Sequence, residues 1–68
     1  MARYEQGERI KEALKRAGMT QAGYCQLRGI PLRTLQNWIS GKTVLSGWMM
    51  FFIMRDLDEI AQNVVDKG

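Results

Sequence analysis

The sequence predicts an all-α protein: a compact bundle of four to five short helices, formed by a single domain over residues 1–68. Three observations predict it. Apolar residues recur in blocks at the i, i+3, i+4, i+7 spacing of one helical face. No run alternates apolar and polar residues between turn signals, as a half-buried strand would. Gly18, Gly29 and Gly41 follow directly on such blocks, where helices often end in a left-handed residue. A chain this short buries only about 60% of the surface its unfolded form exposes, which leaves room for one small core and none for a catalytic cleft between domains. No repeat, low-complexity segment or linker divides it.

Taken in order, Ile10, Ala13, Leu14 and Ala17 form the apolar face of the first helix, which Gly18 ends. Gly7 is a poor helix former and weakens the start, which falls between Tyr4 and Glu8. Thr20 suits the N-cap of a second helix, and Met19 and Tyr24 are spaced as a hydrophobic staple across it. That helix runs from Gln21 to about Arg28. Pro31, with φ already set and no N–H to lose, suits the first position of the third helix. This third helix carries "RTLQNWISGK", Arg33 to Lys42, anchored by Leu35 and Trp38 and stopped at Gly41. Only about three residues separate the second and third helices, so they meet at a steep angle.

The last block has Ser46 as a candidate cap. Met50, Ile53, Leu57, Ile60 and Val64, spaced 3, 4, 3 and 4 apart, make one continuous stripe. Trp48 and Phe52 lie on the opposite side, and a helix apolar all round at one end has to be covered on more than one side. Asp56 with Glu59 reads as a capping box, so the block is either one helix or two that break near Asp56.

Composition narrows the function. One cysteine forms no internal disulfide and fits a reducing cytoplasm. The N-terminus lacks a secretory pattern, and the longest apolar run, "WMMFFIM", is far short of the roughly 20 residues that span a bilayer. A soluble, cytoplasmic protein is expected. Residues 1–42 carry eight Lys/Arg against three Glu, and residues 43–68 carry two against four Asp/Glu. A basic front and an acidic tail suit a polyanion held by one half of the molecule, or simply an unevenly charged solvated surface. There is no histidine, no Gly-rich phosphate loop and no metal-ligand cluster, so no enzyme, catalytic residue, metal, cofactor or small-molecule substrate is expected.

The stretch "TQAGYCQLRGIPLRTLQNWISGK", Thr20 to Lys42, resembles the helix-turn-helix of the lambda-repressor/Cro-like (XRE-type) DNA-binding proteins. Their pattern runs Ser/Thr-Gln, Leu-Ala, Leu-Gly-Val-Ser, Thr-Ile, Trp and a closing Gly. Without a gap, Gln21 takes the Gln place, Gly29 the turn Gly, Ile30 the Val, and Thr34-Leu35 the Thr-Ile pair. Trp38 and Gly41 complete the pattern. Tyr24-Cys25 depart from Leu-Ala, Arg28 from an apolar residue, Pro31 from the capping Ser and Ile39 from a frequent Glu. The resemblance covers about a third of the chain.

It implies double-stranded DNA as partner, with the second and third helices as the helix-turn-helix and the third in the major groove. Leu32, Arg33, Gln36 and Asn37 are then the base-reading residues. Arg33 suits a bidentate contact to guanine and Asn37 one to adenine. Leu32 suits either a thymine methyl or packing on Leu35. Gln21, Ser40 and Lys42 resemble the phosphate-binding positions, although Lys42 also suits a helix C-terminus on charge alone. Such proteins usually bind as symmetric dimers. Trp48, Phe51 and Phe52 are surplus once the stripe closes the core, and a homodimer interface is expected there, the alternative being a helix end covered within one chain. The resulting expectation is a small transcriptional regulator, a repressor of the kind found by analogy in phages and toxin–antitoxin operons. The alternative is a protein-interaction module, an antirepressor or adaptor, working through the aromatic C-terminal helix. A membrane-surface peptide is disfavoured, since the basic and apolar residues fall in different segments and not on two faces of one helix.

Overall fold

The computed structural model describes residues 3–67, with side chains described for 5–63. It is all-helical and compact, with four helices: α1 (Arg3–Arg16), α2 (Gln21–Arg28), α3 (Leu32–Ser40) and α4 (Gly47–Lys67). The core is drawn from all four. Ile10, Ala13, Leu14 and Ala17 of α1 and the turn after it meet Tyr24 and Cys25 of α2, Leu35 and Trp38 of α3, and Met50, Ile53 and Leu57 of α4. α1 is the central element, packed against both α3 and α4, and α2 packs against α3.

The helix ends follow from local chemistry. α1 closes in a Schellman motif, with Met19 N–H donating to Leu14 O and Gly18 N–H to Lys15 O, both at 3.0 Å. The Thr20 hydroxyl caps α2 by accepting from Gly23 N–H at 2.9 Å. Gly29 (φ 70°) and Gly41 (φ 81°) end α2 and α3 in the left-handed region, where a side chain would be strained. Pro31 stands one place earlier than expected. With ψ 135° it is the extended N-cap of α3 and not its first helical residue, and it supplies no side-chain cap. Its carbonyl starts the helix by accepting from Thr34 N–H (2.9 Å) and Leu35 N–H (3.3 Å).

α1 begins at Arg3, one residue before the expected range of Tyr4 to Glu8, and runs through Gly7. Gly7 is buried, and a Cβ built there would lie 1.8 Å from the Ile39 carbonyl oxygen, so the absent side chain is what lets α1 approach α3. The C-terminal block is one 21-residue helix, so the bundle has four helices of which the last is long. At about 1.5 Å per residue α4 is about 30 Å long, in a molecule whose longest extent is 36 Å. Asp56 does not cap a second helix because its carboxylate is engaged from α2, as described below. Met50, Ile53 and Leu57 are buried and Ile60 is half-buried, as the stripe requires. Val64, its last member, lies outside the residues whose side chains are described.

Candidate nucleic-acid interface

α3 has two unlike faces. Leu35 and Trp38 point into the core, flanked by the half-buried Thr34 and Ile39. On the other side, Arg33 lies three and four residues before Gln36 and Asn37, and these lie four and three before Ser40, so the four share one outward face. Arg33, Gln36 and Ser40 are exposed and Asn37 is half-buried. Leu32, 40% exposed and so partly covered, sits at the edge of that face. Lys42, just past the helix end, is exposed.

The C-terminal end of α3 is tied down twice by consecutive residues of α1. The Gln6 side chain is buried, and its Nε2 donates to Trp38 O and to Thr43 O, each at 2.9 Å. Its Oε1 accepts from Leu45 N–H at 2.9 Å. Beside it, Gly7 seats the Ile39 backbone directly on α1. Asn37 O accepts from Thr43 N–H at 3.2 Å and from the Ser40 hydroxyl at 3.3 Å. The Ser40 proton is thus committed to its own helix, and a ligand oxygen would have to replace that acceptor.

The start of α2 gathers further polar groups. Gln21 is half-buried and lines a shallow depression together with Lys11 and Lys15. Lys11 is paired with Glu8 at 2.6 Å. Lys15, exposed in the last turn of α1, was not among the expected site residues. Its signal was the basic pair Lys15-Arg16 immediately before the turn into α2. Between Glu12 and Asp56 the chain has no acidic residue, while it carries Lys15, Arg16, Arg28, Arg33, Lys42 and Arg55. The polar face of α3 therefore lies in a segment with only positive charge.

Arg28 is not a free member of that set. Its Nε and Nη2 bond the two oxygens of Asp56 at 2.9 and 2.5 Å, and the Tyr24 hydroxyl donates to the same carboxylate at 2.6 Å. Arg28 thus ties α2 to α4. Burial, reinforced by the bond to Asp56, pushes the Tyr24 phenol well above its ordinary range, so it stays a donor. Burial pulls the Asp56 carboxyl upward, but the hydrogen bonds from Arg28 and Tyr24 and the guanidinium charge outweigh it and hold it below the usual carboxylate value. A depressed folded pKa contributes stability above the unfolded value of about 3.9, and that stability is lost as pH falls through the folded value. Asp56→Ala should cost about 1–3 kcal/mol at neutral pH. In urea titrations, the gap between wild type and variant should narrow as pH falls below about 4; a gap that does not narrow there would contradict the charge-based account.

Trp48, Phe51 and Phe52 are 71, 64 and 65% exposed, so they are not a helix end covered within one chain. Cys25 is buried, and burial pushes its thiol up, away from reactivity. Among the described residues no group of His, Cys, Asp or Glu could hold a metal ion, and no helix is long and apolar enough to cross a membrane. No protein-family model, curated protein or solved structure matches the chain.

Proposed function

We propose that this chain binds double-stranded DNA sequence-specifically, with α2 and α3 as a helix-turn-helix and α3 in the major groove, and that it acts as a small transcriptional repressor. The observation that carries this reading is the outward face of α3. Arg33, Gln36, Asn37 and Ser40 form a row of hydrogen-bonding side chains on a helix anchored at its far end by Gln6 and Gly7. A solvated structural helix has no need for such a row, nor for a segment stripped of acidic residues. An α-helix fits the major groove and offers its N-terminal side chains to base edges. Arg33 reads guanine through a bidentate pair, Asn37 reads adenine, Gln36 lies between them, and Leu32 meets a thymine methyl at the edge. Gln21, Ser40 and Lys42 hold phosphates, which set register and supply salt-dependent affinity without reading sequence. Lys15 joins them beside Gln21.

Selection of sites from a random duplex library at moderate salt tests the reading, with enrichment of a defined half-site as the expected result. On that half-site, Arg33→Ala should lose about 1–3 kcal/mol and relax one base position. Lys42→Ala should weaken all sequences alike and reduce the salt slope by about one. Equal losses on every sequence for both variants would contradict these roles. The exposed aromatic cluster of α4 favours one second reading, a protein-interaction module. Absence of any enriched site, with binding that vanishes as salt rises, would select it.

A further inference from the structure

α3 begins on an apolar head. Ile30 is half-buried, Pro31 and Leu32 are exposed, and Pro31 is an N-cap that offers no side-chain hydrogen bond. Arg33 is therefore the first polar side chain after the turn at Gly29. In a helix-turn-helix the N-terminal residues of the recognition helix are the ones that contact base edges. A side chain there can engage a base by hydrogen bonds or by apolar contact, and Leu32, 40% exposed, has only the second. The major-groove edge of the bases offers it one apolar partner, the C5-methyl group that thymine carries and cytosine lacks.

We propose that Leu32 makes this chain a reader of pyrimidine C5-methylation. The base pair next to the guanine held by Arg33 carries thymine or 5-methylcytosine, and methylation of a cytosine there turns a weak site into a strong one. This role of Leu32 rests on the DNA recognition proposed above and adds to it a class of base modification. Two features place the methyl group beside the guanine. Leu32 and Arg33 are consecutive, about 1.5 Å apart along the helix axis, against about 3.4 Å between stacked bases. A bidentate Arg33 takes up O6 and N7 of its guanine, so the side chain before it meets an adjoining base pair. A third feature makes the two pyrimidines equivalent. Thymine presents an oxygen at C4 and 5-methylcytosine an amino group, so a neighbour that only donated or only accepted would choose between them. Gln36, four residues after Leu32 and exposed on the same side of the helix, has an amide that both donates and accepts. It pairs with either base, which leaves the methyl as the deciding group.

The full chain and the half-site recovered by selection serve for the test. The two pairs flanking the guanine whose preference Arg33→Ala relaxes are rebuilt in turn with thymine, uracil, 5-methylcytosine or cytosine, and affinities are measured at one salt concentration. At one flank, thymine should bind about fourfold more tightly than uracil, and 5-methylcytosine about fourfold more tightly than cytosine, as about 0.8 kcal/mol for one buried carbon implies. Leu32→Ala should bring the methylated sites down to the level of the unmethylated ones and leave the latter unchanged, a pattern that loss of folding does not produce. Leu27 is an exposed leucine outside α3, and Leu27→Ala should keep the full methyl preference. A half-site bound equally with and without the methyl at both flanks overturns the inference while leaving DNA recognition in place. So does a methyl preference that survives Leu32→Ala, or one shown by thymine and not by 5-methylcytosine. Failure to recover any half-site overturns the recognition itself, and the role of Leu32 with it.

Discussion

Gly7→Ala should destabilise the protein by about 3 kcal/mol or more, at or above the upper end of ordinary overpacking. The direction is informative because helix propensity alone has the opposite sign: alanine in a helix interior is favoured over glycine by about 1 kcal/mol. Propensity loses here because the added Cβ would lie 1.8 Å from Ile39 O and 2.8 Å from Ile39 C, backbone atoms that no rotamer change can move aside. α1 and the end of α3 have to separate, and the Gln6 hydrogen bonds next door open with them. Small domains hold about 0.05–0.15 kcal/mol of stability per residue, so one methyl group removes a large part of what this chain has. Gly47→Ala is the control, since a Cβ there meets nothing within 4 Å. Urea midpoints should fall steeply for Gly7→Ala and hold or rise for Gly47→Ala. A Gly7→Ala midpoint at or above wild type would show that α1 and α3 are not in backbone contact.

The reading of Gly7 marks the limit of what the sequence makes legible. Periodicity was enough for the helices and most of the core, because Ile10, Leu14, Leu35, Ile53 and Leu57 are buried for the reason their spacing implies. Capping chemistry located Thr20, Gly18, Gly29 and Gly41 because those signals are local. What was not legible is tertiary. Gly7 reads as a weak helix start until a second helix is laid on it. Gln6 reads as a solvated polar residue, yet it stands four places before Ile10 and so on the apolar face. A polar residue on that face was the available signal. Asp56 and Glu59 match a capping box, but a box is outweighed when one carboxylate already accepts from Arg28 and Tyr24. The outward face of α3 was legible from spacing alone, since one side of an amphipathic helix identifies the other. That Trp48, Phe51 and Phe52 are surplus to the core stripe was legible in the same way, and they are exposed, although the choice against a covered helix end depends on where α1 and α2 lie.

These tertiary contacts bear on function through one element. A base-reading helix has to be presented rigidly, because misplacement by about 1 Å is enough to spoil an oriented set of contacts. α3 has only nine residues, and no side chain caps its N-terminus. Its rigidity comes instead from Leu35 and Trp38 beneath it and from Gln6 and Gly7 at its end. Loss of Gln6 should therefore harm recognition as well as stability, although Gln6 touches neither base nor phosphate in the proposed complex.

Gln6→Leu should cost about 3–5 kcal/mol, since it leaves Thr43 O and Leu45 N–H without their side-chain partner and Trp38 O with only the Gly41 N–H, and an orphaned buried group costs about 1–3 kcal/mol. Gln6→Glu separates hydrogen bonding from shape. Glutamate fills nearly the same space, but its ionised form only accepts, while two of the three groups it faces are carbonyl oxygens. Its folded pKa should therefore rise above the unfolded value of about 4.3. Between the two values the native state binds more protons than the unfolded chain, so the stability of the variant should fall as pH rises from 5 to 7. Wild type has no such group at this position, and its Asp56 contribution stays intact across that window. Unfolding free energies at pH 5 and pH 7 check this: Gln6→Glu should recover part of its deficit at pH 5, whereas Gln6→Leu should show the same deficit at both. If Gln6→Glu matches wild type at both pH values, side-chain volume rather than the pairing of Trp38 O and Thr43 O would be what holds α3 to α1.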